Sequence, residues 1–107
     1  MSNVTHYDKL IRDNIPDIIE EAGHDYEVEK LGDDEYQKAL VSKLQEEVDE
    51  FKESEETEEL ADIVEVIRAL LHAKASSWFE LETIRKEKQK QRGGFENKLL
   101  LKWSEDQ

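Results

Sequence analysis

At 107 residues, with 36% hydrophobic and 40% charged residues and a formal net charge of −13, the chain is sized for one domain, residues 1–107, and repels the phosphate backbone of nucleic acid. It has no cysteine, so disulfides and thiolate zinc sites are excluded. No apolar run is long enough to span a membrane and no signal-peptide pattern opens the chain, so a soluble cytoplasmic protein with no nucleic-acid or membrane partner is expected.

The low apolar fraction does not imply disorder, because the apolar residues recur at helical spacing. No internal repeat or low-complexity linker interrupts the pattern. Charge is distributed unevenly. Residues 84–102 carry seven Lys/Arg against Glu87 and Glu96, a net of +5, which leaves −18 for the remainder.

In chain order, residues 1–14 read as irregular. Pro16 suits the first turn of a short helix running to about Ala22, where its missing N–H is unpaired in any case, and Gly23 is a C-terminal stop. Residues 26–31 alternate enough to be a short strand. Asp33 or Asp34 caps a long second helix to about Glu53. Residues 54–57 turn, and Thr57 caps a third helix to about Lys74, with Glu58 and Glu59 in its favourable first turn. Ser77-Trp78-Phe79-Glu80 matches a capping box and opens a fourth helix to about Gln91. Residues 92–95 form a loop, and 98–103 read as a second strand that pairs with 26–31.

The second helix contains Glu46, Glu47, Val48, Asp49 and Glu50. The third contains Glu59, Leu60, Ala61 and Asp62. Spacing of three puts Glu47 with Glu50, and Glu59 with Asp62, on one face of each helix, with Cβ atoms about 5–6 Å apart. Folding the two helices as an antiparallel hairpin about the Ser54–Glu55 midpoint sets residues whose numbers sum to 109 at equal heights. Glu50 then faces Glu59 and Glu47 faces Asp62, two levels about 4.5 Å apart.

Glu47 shares a stripe with Leu40, Leu44 and Phe51. Glu59 aligns with Ile63, Val66 and Leu70, and Asp62 with Val66, Ala69 and Ala73. These acids point to the packing seam or its edge, where charge is costly, while Glu50 sits nearer the polar boundary of its helix. Four crowded carboxylates repel unless protons or cations neutralise them. A hard divalent cation such as Mg²⁺, shared with substrate phosphates, is the natural partner. A chain with 28 acidic residues also shows such spacings by chance on solvated faces. The inward orientation and common register favour a site. Glu53, Glu55, Glu56 and Glu58 belong to the solvated turn, and Glu65 to the surface.

Glu46-Glu47-x-x-Glu50 followed by Glu59-x-x-Asp62 resembles the motif of the all-α nucleotide pyrophosphohydrolases, the MazG-like superfamily. Residues 7–16 (Tyr-Asp-Lys-Leu-Ile-Arg-Asp-Asn-Ile-Pro) and Arg92-Gly93-Gly94-Phe95 resemble a small subgroup of it, whose members are expected to remove non-canonical nucleotides. The resemblance implies a mainly α fold, a four-helix arrangement with a central antiparallel helix hairpin, to which the two short strands add a minor element. It implies Mg²⁺, with Mn²⁺ as substitute, on Glu47, Glu50, Glu59 and Asp62, a catalytic set of Glu46, Glu47 and Glu50, and Glu46 orienting or deprotonating the water. Only eight residues, 51–58, separate the two acidic blocks, fewer than in many relatives.

The implied activity is Mg²⁺-dependent hydrolysis of nucleoside triphosphates, non-canonical ones included, to monophosphate and pyrophosphate by a homodimer or homotetramer. Two other readings stay open: phosphoribosyl-ATP pyrophosphohydrolase, and a non-catalytic acidic helical module that docks a basic partner.

The substrate-binding candidates are Lys9, Arg12, Lys43 and Arg92. Lys9 and Arg12 read either as triphosphate contacts or as surface charge or ion-pair partners of the acidic helices. Lys43, four before Glu47, is also placed to pair with it. Arg92-Gly93-Gly94 reads either as a close backbone approach to a phosphate or base, or as a plain helix stop. Trp78, Phe79, Phe95 and Trp103 fit core or interface packing better than base stacking. His6, His24 and His72 do not cluster. No P-loop, dinucleotide fingerprint or Ser-His-Asp pattern occurs.

Overall fold

A computed structural model of the chain describes residues 3–105. It contains four helices: α1 (Ile15–Glu21), α2 (Asp33–Ser54), α3 (Thr57–Ala73) and α4 (Trp78–Arg92). The first two residues of the segment expected to be irregular lie outside the described residues; the rest of it, 3–14, has no helix or strand.

Pro16 occupies the first turn of α1, and Gly23 follows that helix at φ +81°, the left-handed conformation a stop requires. Two residues, Glu55 and Glu56, separate α2 from α3. Glu55 turns the chain at φ 58° and its N–H still donates to the Phe51 carbonyl, at 2.8 Å. The Glu56 N–H donates to the Ser54 hydroxyl oxygen at 3.2 Å.

The caps differ in part from expectation. Gly32, not Asp33 or Asp34, is the N-cap of α2, and both acids sit in its first turn, where the helix dipole favours them. Thr57 is the first residue of α3 and Glu56 precedes it as cap. Ser77 does cap α4, its hydroxyl accepting from the Glu80 N–H at 3.0 Å. The Glu80 carboxylate accepts from the Ser76 hydroxyl at 2.7 Å, so the box closes on the preceding serine.

No strand forms among the described residues, which corrects the expected pairing of 26–31 with 98–103. In the first segment only Tyr26, Val28 and Leu31 are apolar, and Tyr26 and Val28 remain exposed. In the second, Leu99, Leu100 and Leu101 follow one another without alternation and are all exposed. An isolated two-stranded ribbon with no face to bury is marginal in water.

Helix α2 packs along α3, α4 meets α3 over a short stretch, and α1 approaches no other helix closely. Gln37 near the start of α2 places its Nε2 3.5 Å from the Ala73 carbonyl at the end of α3. Among the described residues the buried side chains are Leu40 and Glu47 on α2 and Val66 on α3. The hydrophobic stripe expected to point inward therefore does so, and Glu47 goes in with it.

The chain is extended. Its radius of gyration is 18.8 Å, against about 13 Å for a compact domain of this length. Its accessible surface is 10417 Å² for 12.6 kDa, against about 6,200 Å² for a compact monomer of that mass. Leu60 and Val64 on α3, Trp78 and Phe79 on α4, and Phe95, Leu99, Leu100, Leu101 and Trp103 beyond it are left exposed. Among the described residues no helix is long and apolar enough to cross a membrane.

Candidate metal centre

The acids of α2 and α3 meet in two groups that share one member. Glu46, Glu47 and Glu50 form the first, and Glu47, Glu59 and Asp62 the second. Within each, one oxygen per residue lies within 4.8 Å of the others. The sum-of-109 register placed Glu47 beside Asp62, and the structure brings these two together. Glu50 and Glu59, the other expected pair, fall into different groups, each gathered around Glu47. Glu46, which entered only through the resemblance, takes its place beside Glu47 and Glu50.

Glu47 is the singular residue. It is 6% exposed, the one buried charged side chain among the described residues. Its Oε1 lies 3.3 Å from the Lys43 ammonium, while its Oε2 is buried with no hydrogen-bond partner. An orphaned buried carboxylate oxygen carries a desolvation cost that a helix pair would avoid with leucine at the same position. Burial pushes the Glu47 carboxyl above its ordinary value, the neighbouring Glu50 carboxyl pushes it further, and Lys43 only partly offsets both.

Three cations surround the acids. Lys43 bridges Glu46 and Glu47, at 3.3 Å from each. Lys9 donates to Glu46 at 3.0 Å, and Arg12 to Asp62 at 2.6 Å. Burial works to raise the Glu46 carboxyl, but the Lys9 hydrogen bond and the charge of Lys43 outweigh it and hold it below the ordinary glutamate value. The hydrogen bond to Glu46 raises Lys9 in turn. Glu46 is therefore kept ionised, while Glu47 next to it is biased toward holding a proton.

The donor set fits a hard divalent cation: carboxylate oxygens from two helices, one of them buried and unsatisfied. A cation bound there would satisfy Glu47 Oε2 and relieve the repulsion that lifts its proton affinity.

Lys9, Arg12 and Lys43, all substrate-binding candidates, lie on the acids as ion-pair partners. Arg92 lies in the exposed last turn of α4, and no ion pair or hydrogen bond among the described residues links it to them. The Gly93 N–H donates to the Gln89 carbonyl at 2.7 Å with Gly93 at φ +83°, the geometry of a helix stop. Trp78 takes Arg68 over its ring at 5.7 Å. No protein-family profile, no curated protein and no solved structure matches the chain.

Proposed function

We propose that the chain is a Mg²⁺-dependent nucleoside triphosphate pyrophosphohydrolase built on a MazG-like arrangement, with α2 and α3 as its central antiparallel hairpin. The observation that carries this reading is Glu47: a buried carboxylate with an unpartnered oxygen, at the point two groups of acids share. The resemblance of the acidic blocks to that superfamily supplies the substrate class.

Glu47, Glu50, Glu59 and Asp62 would hold Mg²⁺ or Mn²⁺. When bound, the cation neutralises phosphate charge and lowers the pKa of a water. Glu46, held from two sides by Lys9 and Lys43, orients the attacking water and takes up its proton as the bond to phosphorus forms. The water oxygen forms a bond to the α-phosphorus, the bridging bond to the β-phosphate breaks, and pyrophosphate leaves with the electron pair. Lys9, Arg12 and Lys43, which already lie on the acids, are the cations for the remaining phosphate oxygens. Phosphoryl transfer needs mainly positioning and charge neutralisation, which this residue set can provide.

The same reading takes the chain as a homodimer or homotetramer. The excess surface and the exposed apolar side chains of α3, α4 and residues 95–103 are what a second copy would cover.

The test is a panel of canonical and modified nucleoside triphosphates incubated with the protein and Mg²⁺. Monophosphate and pyrophosphate are expected in equal amounts, with none in EDTA. Diphosphate and inorganic phosphate as products, or no product from any member, would overturn the reading. Turnover confined to phosphoribosyl-ATP would move the substrate to that compound.

A further inference from the structure

The segment before α1 crosses the acidic centre. Lys9 reaches Glu46 on α2 and Arg12 reaches Asp62 on α3, so two cations three residues apart clamp one acid from each helix. Leu10 and Ile11 between them are half-buried. The segment has no helix or strand, and the helix it leads into, α1, packs closely on no other. The Lys9–Glu46 and Arg12–Asp62 pairs tie it to the α2–α3 pair.

The arrangement poses a conflict. Asp62 belongs to the acid group that includes the unsatisfied Glu47, yet its Oδ1 is held by the Arg12 guanidinium at 2.6 Å. A divalent cation among Glu47, Glu59 and Asp62 would meet that guanidinium at close range, positive charge against positive charge.

We propose that residues 9–12 form a counter-ion latch: Lys9 and Arg12 neutralise the acidic centre in the metal-free chain, and metal displaces Arg12 from Asp62 and frees it for a phosphate oxygen. The proposal rests on the metal-site reading above and adds that the site is self-occupied. Metal and phosphate binding are then coupled, because each favours the state in which Arg12 has left Asp62. By linkage the coupling is reciprocal for the two binding affinities.

The latch makes a prediction opposite in sign to a structural role. Arg12→Ala removes the competitor, so Mn²⁺ binding without nucleotide tightens. The pair is partly solvated, with side-chain exposures of 56% for Arg12 and 32% for Asp62, so the gain is about two- to fivefold in Kd. The same variant loses a phosphate contact, so KM for the triphosphate rises. A residue that merely held the fold would weaken both.

The experiment is calorimetric titration of Mn²⁺ into wild type, Arg12→Ala and Arg12→Gln, beside KM for the best triphosphate substrate. Helix content by circular dichroism is checked for each. Arg12→Gln keeps a polar side chain without the charge and gives the same sign if charge is the cause. Tighter Mn²⁺ binding with higher KM in both variants supports the latch. Mn²⁺ binding that is unchanged or weaker, with wild type binding the metal, overturns the latch and leaves the metal site standing. Absence of Mn²⁺ binding in all three proteins overturns both.

Discussion

Glu47→Leu raises the stability of the metal-free protein by about 1–3 kcal/mol and abolishes triphosphate hydrolysis. Glu47 is 6% exposed with one oxygen unpartnered, on a stripe with the fully buried Leu40. Leucine of similar length extends that seam and removes a desolvated charge. Lys43 loses one partner and keeps Glu46 at 3.3 Å, so no cation is stranded.

The gain also depends on pH. Because the folded-state pKa of Glu47 is raised, the native protein binds this proton more tightly than the unfolded chain. Wild-type stability therefore increases as pH falls through that raised value toward the ordinary one, and the advantage of leucine shrinks over the same interval. Denaturant unfolding in EDTA on either side of this interval, with a pyrophosphate assay in Mg²⁺, checks both halves. A variant less stable than wild type in EDTA would mean that the Lys43–Glu47 pair serves the fold. Full activity would remove Glu47 from the site.

Glu50→Gln lowers kcat by about ten- to a hundredfold and changes stability by no more than about 0.5 kcal/mol. Glu50 has no ion-pair partner among the described residues, so its charge is not needed to hold α2. Glutamine keeps the shape and removes the charge. It also removes one of the influences that raise Glu47, whose carboxyl moves back toward its ordinary value. Turnover at the wild-type rate, measured as pyrophosphate release at saturating substrate, would take Glu50 out of the catalytic set.

The parts of the structure legible in the sequence are those set by local periodicity. The apolar stripe through Leu40, Leu44 and Phe51 located Glu47 on the seam, because a helix carries residues four and seven apart to one side. Numerical symmetry about the Ser54–Glu55 midpoint brought Asp62 to Glu47. Glu50 and Glu59, at equal height in the same register, belong to different groups of acids that share Glu47, because which carboxylates converge depends on the radii along which they point as well as on their height. Ser77 was legible as a cap because its side chain acts within four residues. Thr57 and Asp33 were not, because a helix start shifts by one residue whenever the preceding backbone can turn without a side-chain cap.

The strands were misread for a different reason. A strand needs a partner and a buried face, and neither is encoded in residues 26–31 or 98–103 themselves. Lys9 and Arg12 read as phosphate ligands, as surface charge or as ion-pair partners, because which acid a flexible cation reaches is settled only by the path of the chain before α1.

Melting temperature in Mg²⁺ against EDTA, at matched ionic strength, tests the central claim that the acids of α2 and α3 form a cation site. Matching ionic strength removes the general screening that a chain of net charge −13 would show with any salt. With metal at ten times its dissociation constant the native state gains about 1.4 kcal/mol, which raises the melting temperature of a domain this size by about 5–10 °C. Glu47→Leu abolishes the rise. Equal melting temperatures for wild type in millimolar Mg²⁺ or Mn²⁺ and in EDTA, or the same rise in Glu47→Leu, would contradict the account.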